Sequence, residues 1–420
     1  MLMEAFIPIF SILGLGMGIQ YFISARFDFK LSRGDFYLAA VLIGEFVLIF
    51  SMGIVGILTK NGLWLIPRLY LVISTTLSTA AIYHYVTHNL HRLESFRSPF
   101  PEEWTGEHVL ALLVGLFLLE YIFLILIFPL RGFDALERYL PDAFYFYQQD
   151  SIPKINALTA TPTFKSPAHT LLFTYVLYVS RKEEYYLIPF LTLFSLVVVA
   201  YKFGEVFLGS PRRGWLAALL LLALPLTKEL VTNWAYYQDL YIAFYFAAGI
   251  YFFLLAFHHQ RTGYSIVSGL AVGLAILAKM SGWALPVIIL LLAPAGRKGR
   301  VLKVVMLIPM ASWLAMKAAT KTFVGVSFAI ALIAFLLILL IYLAPLENAS
   351  VTRTTTPIII GILAGGWWIW RTAIMLPGSF DTLAEFYFQI KGSPQWEYPV
   401  HASQGSILAL EQLHSVSFLG

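Results

Sequence analysis

Apolar positions along this chain run in long blocks broken by short polar stretches. The long blocks lie at 6–24, 36–58, 64–85, 109–130, 186–208, 236–257, 301–316, 322–344 and 357–376. A helix that crosses a bilayer needs roughly 20 mainly apolar residues, and these blocks are of that order. Shorter ones lie at 170–180, 215–226, 264–277 and 282–293. The pattern predicts an all-α polytopic membrane protein with about 12–13 transmembrane or half-transmembrane helices. The blocks before residue 131 show no obvious acidic pair of their own.

Loop Lys and Arg set the orientation, because basic loops stay on the cytoplasmic side. Arg26, Lys30 and Arg33 share one short loop, Arg212 and Arg213 another, and Arg261 ends a third; Arg297, Lys298 and Arg300 form the densest cluster. Placing all of these inside puts 131–169, 228–239 and the tail after 376 on the extracytoplasmic side. One parity problem follows. Three apolar blocks separate the 131–169 loop from Asp239, where an even number of crossings is required. Block 170–180 is too short to span alone. It, or 215–226, is expected to be a re-entrant or half-length helix, which a membrane accommodates only when it is buried in protein.

Composition reinforces this picture. The chain is 59% hydrophobic and 12% charged, against about 25% charged in soluble domains. A soluble fold has no way to hide so much apolar surface. The net charge of +5 fits cytoplasmic Lys/Arg facing anionic headgroups, and no basic run interleaved with aromatics points to nucleic acid. There are no cysteines, which excludes disulfides, Cys-ligated zinc and thiol catalysis. The N-terminus lacks a basic n-region and a clear cleavage site, and reads as a retained first helix. No Gly-rich nucleotide loop of the usual spacings is present. That disfavours ATP-driven transport and nucleotide-sugar chemistry on a Rossmann scaffold.

Against this background, 131–169 is a polar island: RGFDALERYLPDAFYFYQQDSIPKINALTATPTFKSPAH. Asp134, Glu137, Arg138, Tyr139 and Asp142 crowd its front. Asp134 lies just past an apolar block, at the membrane face; if the segment is helical, Glu137 and Arg138 share its face. The plain alternative is a solvated loop with a local ion pair, which is worth little. Asp239, with Glu229 nearby, opens a long aromatic-rich block on the same predicted side, where an acid also suits the helix dipole. Two separated carboxylates facing one cleft suit glycosyl transfer, one as general base on the acceptor hydroxyl and the other positioning the acceptor or a divalent metal.

Lys279 interrupts the apolar run 269–291. A lysine there either snorkels to the interface or meets an anion such as a lipid phosphate. His169 begins a short apolar block and is a candidate phosphate or metal ligand, or a loop cap. His84, His88 and His91 have a metal-like spacing, but their loop is predicted to be cytoplasmic. Arg371, after GGWWIW, breaks the positive-inside trend; its fork suits a phosphate, and an interfacial anchor between tryptophans is the alternative.

The stretch GFDALERYLPDAFYFYQ resembles the first extracytoplasmic loop of GT-C fold membrane glycosyltransferases that use a lipid-phosphate-linked sugar. That group holds the protein O-mannosyltransferases and aminoarabinose transferases. SPAHTLLF resembles the Pro/His entry to the next helix, GLAVGLAILAKMSGWALPV a recurrent segment ending in a lysine before a turn, and WWIWRTAIMLPGS an aromatic-Arg-Asn element. Three departures stand out. Asp134-Ala135 replaces an acid-acid pair, Thr372 stands where Asn is common, and four helical blocks precede the loop instead of one.

The resemblance implies an enzyme that moves a sugar from a polyprenyl- or dolichyl-phosphate donor to a glycan, lipid or protein acceptor, with inversion. Asp134 is then the general base, and Glu137, Asp142 or Asp239 supplies any second acid, with Asp239 as the catalytic candidate. Glu137, Arg138, Tyr139, Asp142, His169, Lys279 and Arg371 are then substrate-binding residues, with Lys279 on the donor phosphate. No cofactor is demanded; a divalent metal, Mg or Mn, is compatible with the pattern, and its ligands are not identified. The expected organisation is N-terminal transmembrane helices over 1–130, an extracytoplasmic active-site loop over 131–169, a GT-C-like core over 170–376 and an extracytoplasmic tail over 377–420, in a multi-pass cell-membrane protein. The rival reading is a transporter or flippase for a lipid-linked sugar.

Overall fold

A computed structural model of the chain describes residues 2–27, 31–93, 105–127, 140–152, 155–156, 161–162, 167–180, 187–232, 238–293 and 348–375. The described residues are helical apart from turns and one two-residue antiparallel pair, Ile155–Asn156 with Thr161–Pro162. The expected blocks at 301–316 and 322–344 lie outside them. The helices are α1 (Leu2–Phe27), α2 (Arg33–Leu58), α3 (Leu65–Leu93), α4 (Gly106–Ile127), α5 (Leu140–Gln149), α6 (Ala168–Ser180), α7 (Leu187–Phe207), α8 (Pro211–Ala223), α9 (Pro225–Thr232), α10 (Gln238–His258), α11 (Thr262–Ala278), α12 (Ala284–Leu292) and α13 (Asn348–Met375). Among the described residues, four stretches are long and apolar enough to cross a membrane: α2, Gly106–Leu124 of α4, α7 and α10. This is the all-α polytopic architecture that the apolar blocks predict.

Small residues set the helix contacts, because apolar side chains gain little from leaving lipid and close backbone approach supplies the packing. Gly16 and Gly44 press α1 and α2 together antiparallel, facing the Ala40 and Ile12 carbonyls. Gly269, Gly273 and Ile276 of α11 face Ile360, Ala364 and Gly365 of α13, so those two helices run parallel. Gly204 and Gly214 close the α7–α8 hairpin against Arg213 and Tyr201.

Side-chain bonds then fix which ends meet. Tyr251 of α10 donates to Asp35, at the start of α2, over 2.5 Å, and Tyr245 donates to Glu45 over 2.9 Å. The two helices therefore run in opposite directions. Lys202 packs on Gly34, and Arg353 at the start of α13 donates to the Gln260 carbonyl at 3.2 Å. One end of the bundle thus gathers Arg33, Arg212, Arg213, Arg261 and Arg353. The other gathers the end of α2, the start of α10, the end of α11 and the end of α13.

The parity problem is resolved by α6. Its first turn sets His169 against Tyr241 near the start of α10, with ring centroids 6.1 Å apart. Near its last turn Tyr178 donates to Asp150 over 2.5 Å, and the Asp150 carbonyl accepts from Leu63 N–H at 3.0 Å, just past α2. Both anchors belong to the end opposite Arg33. Helix α6 therefore lies within that half of the bundle, packed on α1, α2, α3 and α11, and does not carry the chain across. From there α7 runs to the basic end, and α8 with α9 returns beside α4, so two passages along the bundle separate the loop flank from Asp239 at the start of α10. The short block 170–180, not 215–226, is the non-crossing one.

Candidate active site

Helix α11 is buried along nearly its whole length and stops at Ala278. Lys279 follows in an extended conformation (φ −158°, ψ 150°). Its N–H still bonds the Ala275 carbonyl at 3.1 Å, while its own carbonyl accepts from Gly282 at 2.8 Å. The chain then makes a 3-10 turn, Met280–Trp283, before α12. Gly282 lies so close to the Ala275 carbonyl that no Cβ fits there. The AKMSG sequence is thus a built helix break, and the break projects the lysine at the end opposite the basic loops.

Asp239 sits in the first turn of α10, where the helix dipole favours an anion. Its Oδ1 lies 2.6 Å from Lys279 Nζ. The two side chains are 36% and 40% exposed, so solvent screens the pair and its net contribution is about 0–1 kcal/mol. Asp239 and Lys279, two candidate residues forty positions apart in sequence, are thus brought side by side.

His169 is fully buried, with Phe173 edge-on at 5.9 Å and Tyr241 at 6.1 Å. Tyr241 follows Asp239 by two positions on α10, and Tyr245 lies one turn further along the same face. A polar seam therefore runs along α10 from His169 and Tyr241 to Tyr245 and Glu45. Beside it, Tyr70 donates to the Gly44 carbonyl at 2.7 Å, and Tyr175 meets Ser11 at 2.5 Å.

Asp134, Glu137, Arg138 and Tyr139 lie outside the described residues. The chain re-enters at α5, whose first turn holds Asp142 in a half-buried position. Past α5, the Ile152 N–H bonds the Gly56 carbonyl at 2.7 Å, so the described flank of the loop is fastened to the Lys279 end. Arg371 lies on α13, six residues beyond Gly365. Gly365 faces Ile276, so position 371 stands ~9 Å further along the axis, level with or beyond the break.

Sequence reading overlooked two acids on α2. Asp35 is buried, bonded by Tyr251 and by Ser32 at 2.7 Å. Glu45 is fully buried, and its Oε1 has no hydrogen-bond partner among the described residues. The signal was present: an ionisable residue in the middle of an apolar block, VLIGEFVLIF, asks for a role by its cost alone. Among the described residues no three His, Asp or Glu side chains converge to hold a metal ion.

Residues 165–311 match the sequence profile of the family described as dolichyl-phosphate-mannose-protein mannosyltransferase. The match runs from the entry of α6 past α12 and includes His169, Asp239 and Lys279. No curated protein and no solved structure matches the chain. The match supports a GT-C membrane glycosyltransferase that uses a dolichyl-phosphate sugar, and the apolar helices agree with membrane localisation.

Proposed function

We propose that the chain is a multi-pass glycosyltransferase that moves a sugar from a polyprenyl- or dolichyl-phosphate donor to an acceptor on the extracytoplasmic side, with inversion. The observation that carries this reading is the Lys279–Asp239 pair at the bundle end to which the flank of the 131–169 loop is fastened. The gathering of Arg33, Arg212, Arg213, Arg261 and Arg353 at the other end supports an extracytoplasmic site, by the positive-inside rule.

Lys279 is the donor-phosphate ligand in this scheme. Its present counter-ion is a half-exposed carboxylate, so a phosphodiester oxygen takes the ammonium at little cost. Asp134, carried by the loop, accepts the proton of the acceptor hydroxyl. The acceptor oxygen bonds the anomeric carbon from the face opposite the phosphate, the carbon–phosphate-oxygen bond breaks, and polyprenyl phosphate leaves with an additional negative charge. Lys279, with Arg371 as the second cation, stabilises that charge. Asp239 holds the ammonium in place between turnovers and faces the acceptor side of the cleft. Glu137, Arg138, Tyr139 and Asp142 serve as substrate-binding residues of the loop, and His169 supports the wall behind Tyr241. A divalent metal fits poorly at Asp239, whose Oδ1 already faces an ammonium.

Purified protein is incubated with radiolabelled polyprenyl-phosphate sugars and candidate acceptors, and compared with Asp134→Asn. Loss of transfer by at least a hundredfold in the variant is the expected outcome, of the order seen for removal of a general base. Undiminished transfer would remove Asp134 from the mechanism. Glu45 favours one other reading, a transporter or flippase for a lipid-linked sugar, because such proteins place ionisable groups inside the bundle.

A further inference from the structure

We propose that the indole N–H groups of Trp283 and Trp367 complete, around Lys279, an oxyanion site for the phosphodiester of the lipid carrier. The inference rests on the donor class proposed above and adds two ligands to it. Both indole nitrogens are buried and have no hydrogen-bond partner among the described residues. A buried indole ordinarily finds an acceptor. Two that do not, on separate elements beside the same helix break, mark a place where an acceptor arrives from outside the chain.

The geometry brings them to the break. Trp283 closes the 3-10 turn that begins immediately after Lys279. Its Cη2 lies 4.0 Å from where a Cβ on Gly366 would stand. The preceding Gly365 is pressed on α11, with the Ile276 Cβ 2.7 Å from the corresponding point. The two glycines thus let α13 lie against the last turn of α11, and Trp367 follows them directly. Its ring reaches across to α2, over Gly53, with Phe50 edge-on at 6.1 Å. Lys279, Trp283 and Trp367 therefore come from the break, the turn and the adjoining helix, at the bundle end that the loop flank shares.

The charge count suits a phosphodiester. Lys279 already faces one carboxylate at 2.6 Å. Two neutral donors beside that pair add hydrogen bonds to a singly charged oxyanion without burying a further charge of their own. Their number matches the two non-bridging oxygens of a polyprenyl-phosphate sugar.

The test replaces Trp283 or Trp367 by β-(3-benzothienyl)alanine, which keeps the ring shape and removes the N–H. Trp283→Phe and Trp367→Phe are the simpler companions. Radiolabelled polyprenyl phosphate carrying no sugar is bound to the full-length protein in detergent, and the unfolding temperature is read in parallel. Each replacement is expected to weaken binding roughly tenfold, the scale of one hydrogen bond to a charged acceptor. The unfolding temperature of the benzothienyl variants is expected to hold or rise, since a buried unpaired donor has been removed. Unchanged affinity with a lower unfolding temperature would reduce the indoles to packing and overturn the site. Weaker binding of the sugar-loaded donor alone would place them on the sugar and overturn the phosphate assignment. Failure of the unaltered protein to bind polyprenyl phosphate would contradict the donor class itself.

Discussion

The chemistry proposed here turns on one lysine and on how little holds it. Lys279 stands in extended backbone between a helix and a 3-10 turn, and its ammonium faces Asp239 at 2.6 Å. Both side chains are more than a third exposed, so the pair is a tether and not a pillar. Lys279→Gln is accordingly expected to lower stability by less than about 1 kcal/mol. The same substitution is expected to weaken polyprenyl-phosphate binding by about tenfold or more, because an ammonium–phosphate bond is lost. Thermal unfolding and ligand binding on one preparation check the two together; a large fall in stability would make the pair structural. Glu45 is the opposite kind of residue. It is sealed in α2 with one hydrogen bond, from Tyr245, and Tyr245→Phe removes that bond. The cost expected is about 1–3 kcal/mol, read as a lower unfolding temperature.

At the scale of elements, helix contacts rest on glycines more than on apolar bulk. Gly365 of α13 lies under 3 Å, at its would-be Cβ, from both Ile276 Cβ and the Gly273 carbonyl. Gly365→Leu is expected to push α13 off α11, which limited proteolysis of the 348–375 segment reports as faster cleavage; equal cleavage would show that the seam tolerates bulk. The sequence made the spans of α2, α7 and α10 legible, because an apolar block of bilayer length has few alternatives. It separated Asp239 and Lys279 as two candidates on one face, but their contact depends on the α10–α11 hairpin, which no local pattern encodes. The role of α6 was illegible for a related reason. A thirteen-residue apolar helix reads the same whether it stands upright or lies across, and only its anchors at Tyr241 and Asp150 decide. Asp35 and Glu45 were passed over because the surrounding apolar residues dominate any window average, although a single buried acid is the more informative observation.

For the whole molecule, the arrangement sorts the ends of the bundle. Arg33, Arg212, Arg213, Arg261 and Arg353 share one, while Lys279, Asp239 and the loop flank share the other. The chain has no cysteine, so single cysteines can be placed without background. Cysteines at 60 and 228 are expected to react with an impermeant maleimide from outside intact cells, and cysteines at 212 and 261 only after permeabilisation; the reverse pattern would invert the orientation. Transfer itself is followed in a reconstituted membrane. Protein reconstituted in vesicles with a radiolabelled dolichyl-phosphate sugar and a pool of acceptors is followed for the position of the label. The label is expected to leave the lipid for an acceptor as free dolichyl phosphate accumulates, and Lys279→Gln is expected to slow this. Label that crosses the bilayer still attached to its lipid, with no dolichyl phosphate released, would contradict transfer and identify a transporter.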